Sequence, residues 1–267
     1  MKSILFNRHL KPVWGDDREV TLVNRGILER KPILRRLIQS YYEEMLAMRV
    51  PGPALELGAG GGFMKVLAAD VITSDMFPVP GLDLVCDGTA LPFADGSLRN
   101  ILLRGVLHHI HDPITFFEEC RRVLAVGGRI IINDPVITPF SYLINRFVHF
   151  EYCDPNADWR FKRGQPLMDC NLAMASIIFE RKSDEFRRLF PEFEIIHTRR
   201  HDFMLYLLTG GYSFPALIPN WAFSLAQGVE WILSPLHSLL ANIIFIVIEK
   251  KAQAVTRSSG QRGTLAS

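Results

Sequence analysis

Cysteine is scarce: Cys86, Cys120, Cys153 and Cys170 are the four in 267 residues, and no two form a Cys-x-x-C pair. That excludes a disulfide framework or a thiolate metal cluster as the organising device, and a reducing, cytoplasmic setting is expected. An excess of charge of one sign is also missing, with 30 basic against 28 acidic residues and a formal net charge of +2. Such a balance creates no field for gripping a nucleic-acid backbone, so no nucleic-acid partner is expected. The most basic stretch, Arg25, Arg30, Lys31, Arg35 and Arg36, reads as the solvated side of a helix. Residues 1–10 lack an apolar run long enough for an export signal and carry Arg8, so export is not expected. Internal repeats are absent.

Long unbroken apolar runs are missing too, although charge disappears near the C-terminus. Neither 203–229 nor 231–248 holds an Asp, Glu, Lys or Arg, and Glu230 alone divides them. Gly210-Gly211, Pro215, Pro219, Asn220 and Pro235 interrupt these stretches, which argues against a simple spanning helix. Two readings of 203–240 stay open. One is a helical hairpin covering a sheet, with Phe and Trp as core. The other is an apolar lid or monotopic patch, in peripheral contact with a membrane or a lipid-linked acceptor. Tyr206, Tyr212, Trp221 and Trp231 suit an interface, and Arg199, Arg200, Lys250 and Lys251 flank it.

What is present is enough apolar side chain, 48% of the composition, for a substantial core. Residues 1–50 read as a helical segment, with Ile33, Leu34, Leu37, Ile38, Tyr41, Met45 and Leu46 at helical spacing. Pro51-Gly52-Pro53 stops it. Short apolar strands are predicted at 54–57, 71–74, 82–86, 100–104 and 129–132, with further strands at 193–197 and 241–249. Between the fourth and fifth lies a helix capped by Asp112, with Pro113 in its first turn. Phe116, Phe117, Cys120, Val123 and Leu124 form its buried stripe, and Gly127-Gly128 ends it. Ser183 is expected to cap another helix through Phe190. Strand and helix in alternation predict an α/β fold: a Rossmann-like, seven-stranded, mostly parallel sheet with helices on both faces. The expected organisation is an N-terminal helical segment over 1–50 and one domain over 51–252. That domain has a core at 54–135 and an apolar insertion at about 199–240, and a disordered tail follows over 253–267.

The chemistry concentrates where the first strand ends. Glu56-Leu57-Gly58-Ala59-Gly60-Gly61-Gly62-Phe63 places glycines where the backbone must turn with positive φ and approach a ligand closely. A dinucleotide loop, G-x-G-x-x-G, would need its third glycine at position 63, which is Phe. The spacing here is E-x-G-x-G-x-G. Asp75 closes the second strand, where a carboxylate can accept from both hydroxyls of a ribose. Further on come Asp87-Gly88-Thr89-Ala90-Leu91-Pro92-Phe93, then Val106-Leu107-His108-His109-Ile110-His111-Asp112-Pro113, and then Arg122-Val123-Leu124 followed by Gly127-Gly128-Arg129.

These four signatures, in this order over 54–135, resemble those of the class I S-adenosylmethionine-dependent methyltransferases. The resemblance implies S-adenosyl-L-methionine as cofactor, held by Glu56, Gly58, Ala59, Gly60, Gly62, Asp75, Met76, Asp87, Gly88, Arg104 and Gly105. Asp87 would reach the adenine amino group, and backbone carbonyls at Arg104 and Gly105 would replace a polar residue common in the family. Asp75 also follows Glu56 more closely than is usual there. The whole-chain pattern, including 150–159, resembles methyltransferases of bacterial surface-polysaccharide gene clusters. Gly105-Val106-Leu107-His108 stands where an Asn-Pro-Pro-Tyr run would mark base N-methylation, which argues against that activity.

Methyl transfer needs a base only if the acceptor keeps its proton. His108 and His109 are the candidates, and the alternative is that they only support the cofactor pocket. His108 and His111 lack a third ligand, so no metal is expected. The expected activity is methyl transfer to a small-molecule or lipid-linked acceptor, such as a sugar hydroxyl. The rival readings are a catalytically idle methyltransferase fold acting as a membrane-associated partner and a nicotinamide-dependent oxidoreductase. The absence of a Tyr-x-x-x-Lys pair disfavours the latter. Composition says nothing about oligomeric state.

Overall fold

The computed structural model describes residues 17–147, 151–160 and 170–252. The expected helical start over 1–16 and the expected disordered tail over 253–267 lie outside them. Its strands are Ala54–Leu57 (β1), Val71–Asp75 (β2), Leu84–Val85 (β3), Leu98–Arg104 (β4), Leu124–Pro135 (β5), Phe193–His201 (β6) and Ile243–Lys250 (β7). They form one sheet in the order β3-β2-β1-β4-β5-β7-β6. The pairs among β1 to β5 are parallel, and β7 lies antiparallel between β5 and β6. This is the expected seven-stranded, mostly parallel architecture.

The helices are Asp17–Arg30 (α1), Pro32–Ala47 (α2), Met64–Leu67 (α3), Pro113–Val123 (α4), Pro139–Phe147 (α5) and Met174–Ser176 (α6). After a π-helical turn, Ile177–Arg181, come Ser183–Leu189 (α7), Leu205–Thr209 (α8), Phe223–Ile232 (α9) and His237–Leu240 (α10). The sheet carries a core on each face, and β7 shows why. Successive side chains of a strand point to opposite faces. Ile244, Ile246 and Ile248 join Phe116, Phe117, Phe186 and Phe190 on one side. Phe245 and Val247 join Ile33, Leu37, Tyr41, Met45 and Phe223 on the other.

Several elements depart from the sequence reading. The N-terminal helical stretch is two helices, because Pro32 starts α2 afresh and its missing N–H is harmless only there. Asp112 caps α4 as expected, accepting from Thr115 N at 3.2 Å. Leu124, however, is already extended and opens β5. Gly127 and Gly128 lie within β5 rather than ending the helix. Ser183 is the first residue of α7 and makes no cap; Lys182 precedes it. β3 has only two residues, whereas β4 to β6 are longer than predicted.

The basic stretch on α1 and α2 is not simply solvated. Lys31 Nζ reaches over to donate to Gly211 O and Phe214 O, at 2.6 Å each. Burial pulls its pKa down to about 8. The apolar insertion is neither a spanning element nor a simple hairpin. It is three short helices, α8 to α10, with Phe223, Ala226 and Glu230 turned inward. Among the described residues no helix is long and apolar enough to cross a membrane.

Candidate active site

The strand order reverses between β1 and β4. A crevice opens there, beyond their carboxyl ends, in sheets of this kind. The turn after β1 and the segment after β4 both line it, and they pack together at Gly58. A Cβ on Gly58 would lie 2.4 Å from Val106 Cγ2. Around this point a cavity of about 600 Å³ is lined by residues 58–63, by Asp75, Met76 and Phe77, and by Arg104, Gly105, Val106, His108 and His109. Its size falls in the range of small-molecule and cofactor sites.

Hydrogen bonds set the shape of the glycine turn. Ala59 N donates to Ser74 O at 2.8 Å. Gly60 N donates to Asp75 Oδ2 at 2.9 Å, and Met76 N to Asp75 Oδ1 at 2.8 Å. Asp75 is therefore both wall and brace. A carboxylate oxygen carries two lone pairs, so the group at Asp75 has the chemistry to accept from a ligand hydroxyl. Gly60 and Gly105 have positive φ, of 54° and 64°. A Cβ on either would meet nothing within 4 Å. Their backbones therefore stand bare toward open space.

Glu56 lies below the turn, 1% exposed, and is not part of the wall. Neither carboxylate oxygen has a hydrogen-bond partner within normal geometry. Burial pushes its pKa up to about 7, with Tyr42 and Arg104 pulling it down and Asp75 adding to the rise. The Arg104 guanidinium in turn lies 5.2 Å over the Tyr42 ring, so α2 is pinned above the crevice by a cation–π contact. The sequence reading placed only the backbone of Arg104 at the site; its side chain proves to be the charge that faces Glu56.

The histidines sit in a short 3₁₀ turn, Leu107–His109, after β4. His108 is 5% exposed and its Nδ1 lies 2.9 Å from Asp134 Oδ1. Asp134 Oδ2 accepts from Val106 N and Leu107 N, both at 2.9 Å. Burial opposes a charge on His108, but the Asp134 carboxylate outweighs it and its pKa is raised. The His109 ring stands 4.1 Å from that of His108 and also lines the cavity. Sequence reasoning missed Asp134 and Tyr42. The signal for Asp134 was an acid at the carboxyl end of a central strand, beside a proline.

Asp87 and Gly88 are not brought to the cavity, contrary to expectation. Asp87 Oδ1 accepts instead from Thr89 N at 2.9 Å and Thr89 Oγ1 at 2.8 Å. A Cβ on Gly88 would lie 3.3 Å from Phe116 Cδ2, so that glycine packs against α4. β3 has only two residues and ends two positions before Asp87. Phe77, next to the expected Met76, takes the wall position there. The far wall comes from the apolar insertion and α5: Tyr206, Leu207, Tyr212, Ser213, Ile144 and Asn145, with Glu151 and Leu172. Among the described residues no group of three or more His, Cys, Asp or Glu is placed to hold a metal ion.

These features fit an S-adenosylmethionine-type cofactor. Bare backbone at Gly60 and Gly105 admits a ligand closely, a carboxylate at Asp75 faces the space, and acidic groups suit a molecule bearing a sulfonium and an ammonium. Residues 55–132 match the sequence family described as a methyltransferase domain. The ubiquinone/menaquinone biosynthesis C-methyltransferase UbiE of Desulfotalea psychrophila is 31% identical over 94 residues, covering 35% of this chain and 37% of the relative. An uncharacterized protein of Methanocaldococcus jannaschii, MJ1123, is 33% identical over 99 residues, covering 34% and 48%. The chain thus spans less than half the length of the curated relatives it matches. Among solved structures, a SAM-dependent methyltransferase from Archaeoglobus fulgidus aligns with a TM-score of 0.50 at 16% identity, over 81% of this chain and 94% of that one. The geranyl diphosphate C-methyltransferase of Streptomyces coelicolor A3(2) aligns with a TM-score of 0.50 at 15% identity, over 81% of each chain. This chain therefore has the Rossmann-like methyltransferase fold, built on a sequence core that matches the methyltransferase domain.

Proposed function

We propose that this chain is an S-adenosylmethionine-dependent methyltransferase acting on a small-molecule or lipid-linked acceptor. The observation that carries the reading is the pair of bare glycines, Gly60 and Gly105, lining one cavity at the sheet's reversal point together with Asp75 from the end of β2. Gly58, Ala59, Gly60, Gly62 and Gly105 offer backbone to the cofactor. Asp75 holds its ribose, Met76 and Phe77 flank its base, and Glu56 acts from below through Arg104 and Tyr42. The cofactor supplies an activated methyl group on a sulfonium, so the protein's task is orientation and exclusion of water.

His108 is the positioning residue of this arrangement, because Asp134 locks its ring and favours its charged form. His109, against the same cavity, is the candidate base for an acceptor that keeps its proton, such as a sugar hydroxyl. The far wall joins aromatic Tyr206 and Tyr212 to polar Asn145 and Glu151, which suits an acceptor with a polar reacting end and an apolar body. The resemblance to methyltransferases of surface-polysaccharide gene clusters favours a sugar hydroxyl on a lipid carrier, and mass spectrometry of surface glycans with and without the protein tests that choice.

Calorimetry with S-adenosylmethionine and with NADPH separates methyl transfer from nicotinamide chemistry. Micromolar binding of the first and none of the second is expected. Asp75→Ala should weaken binding at least about 30-fold, the cost of one charged hydrogen bond. Binding that survives both Asp75→Ala and Gly60→Val would overturn the assignment.

A further inference from the structure

The insertion that walls the cavity on its inner side has a second, outward face for which neither the fold nor the proposed reaction has a use. Along α9, Leu225, Val229 and Ile232 recur at spacings of four and three and lie on one side of the helix. Phe223, Ala226 and Glu230 occupy the opposite, buried side. Leu225 and Ile232 are 66% and 67% exposed. Trp221, just before α9, and Trp231 near its end are 76% and 78% exposed. Leu236 and Leu239 continue the exposed apolar surface into α10. A lone exposed leucine means nothing, but several on one face of a helix and in the turn after it mark an interaction surface.

Charge decides among the occupants. Across 203–240 the one ionised-type side chain besides His237 is Glu230, and it is turned inward, accepting from Phe203 N and Met204 N at 2.6 and 3.0 Å. The outward face therefore presents no charge of its own. Its rim does. At the N-terminus of α9 the exposed Arg36 stacks 4.7 Å over Phe223 and donates to Ser224 Oγ at 2.9 Å. At α10, Arg200 donates to Ser238 O at 3.1 Å, but its guanidinium is also paired with the Glu180 carboxylate, so it adds no net charge to the rim. An uncharged apolar face with tryptophans at its margins and the exposed Arg36 at one end is the chemistry of an interfacial helix on a negatively charged bilayer.

We infer that the α9–α10 face docks this protein on the surface of an anionic phospholipid bilayer. Leu225, Val229 and Ile232 enter the acyl boundary, Trp221 and Trp231 sit at headgroup level, and Arg36 meets lipid phosphate. The same insertion supplies Tyr206 and Tyr212 to the cavity, so docking would set the active-site wall beside the membrane. The docking stands or falls independently of the cofactor assignment, since it uses none of the cofactor's contacts.

Vesicle flotation of the full chain tests it, using phosphatidylcholine alone and phosphatidylcholine mixed with phosphatidylglycerol. Flotation with the mixed vesicles is expected, weakened by added salt. Leu225→Glu with Ile232→Glu should lower partitioning by more than about tenfold. Both positions face outward, so an unchanged thermal unfolding midpoint and unchanged S-adenosylmethionine binding confirm that the variant is folded. Arg36→Gln should cost about fivefold on mixed vesicles and little on neutral ones. Wild-type protein that never floats, or a double variant that floats as well as wild type, overturns the inference. So does a concentration-dependent dimer in sedimentation velocity that the same double variant abolishes while vesicles bind neither protein, which would assign the face to a second copy of the chain.

Discussion

Asp134 Oδ1 lies 2.9 Å from His108 Nδ1, while its other oxygen takes the backbone amides of Val106 and Leu107. One wholly buried carboxylate from β5 therefore shapes the segment that follows β4. The histidine ring and the backbone at the cavity mouth are thereby tied to the neighbouring strand.

Removing that carboxylate should be felt first in stability. Asp134→Ala leaves two buried amides and an imidazole without an acceptor, and a loss of about 3 kcal/mol is expected from urea unfolding. The pH dependence has a definite sign. His108 has a raised folded-state pKa, so its contribution is complete below the unfolded value and is lost as pH rises through the raised one. The stability gap between wild type and His108→Gln should shrink as pH rises above the ordinary imidazole value of about 6.5. A gap that widens over that range would contradict the pairing.

Gly58 and Gly60 should fail in different ways. A Cβ at 58 would collide with Val106 Cγ2, and Gly58→Ala should cost about 1–3 kcal/mol of stability. A side chain at 60 meets open space, so Gly60→Val suffers mainly backbone strain of about 1–2 kcal/mol. Its cofactor affinity should nevertheless fall more than about tenfold, because the side chain fills the site. Thermal melts paired with calorimetry read the two effects separately.

Glu56 carries a burial penalty in the free protein. Its folded-state pKa of about 7 lies above the unfolded value, so it takes up a proton on folding at intermediate pH. Stability is then greatest below the unfolded pKa and falls as pH rises toward 7. Glu56→Gln should flatten this slope and raise the stability of the ligand-free protein at neutral pH, on the order of 2 kcal/mol. Cofactor binding should weaken in the same variant. Asp202, pushed up to about 7 by its own burial, slopes the same way, so only the difference between variant and wild type isolates Glu56.

Lys31 ties α2 to the loop at Gly211 and Phe214, between which Tyr212 and Ser213 line the cavity. Lys31→Met should cost about 1–2 kcal/mol and speed hydrogen exchange in that loop. S-adenosylmethionine affinity should be nearly unchanged, since the loop lies on the acceptor side. Equal exchange rates in the two proteins would refute the tie.

Short-range pattern in the chain was sufficient for the α/β architecture. Apolar runs of four to eight residues, the Asp112-Pro113 start signal and the glycine turn are local properties that survive in any context. They place the cavity at Gly58 to Gly62 and at Gly105 before any coordinates are known. Boundaries were less legible: Leu124 continues the helical stripe by periodicity, yet pairing with Leu98 draws it into β5.

Tertiary structure alone decided which side chains meet. Asp134 and His108 are 26 positions apart, and Lys31 and Gly211 are 180 apart. No local period encodes such partners. Asp87 has every sequence feature of a ligand contact, but its carboxylate accepts from Thr89 and does not line the cavity. The direction of α9 was equally invisible. Its apolar residues surround the helix, and the sequence cannot say which of them the sheet will cover. Burial of Phe223 against α2 settled that, because covering one face of a helix necessarily leaves the opposite one to the solvent or to a partner.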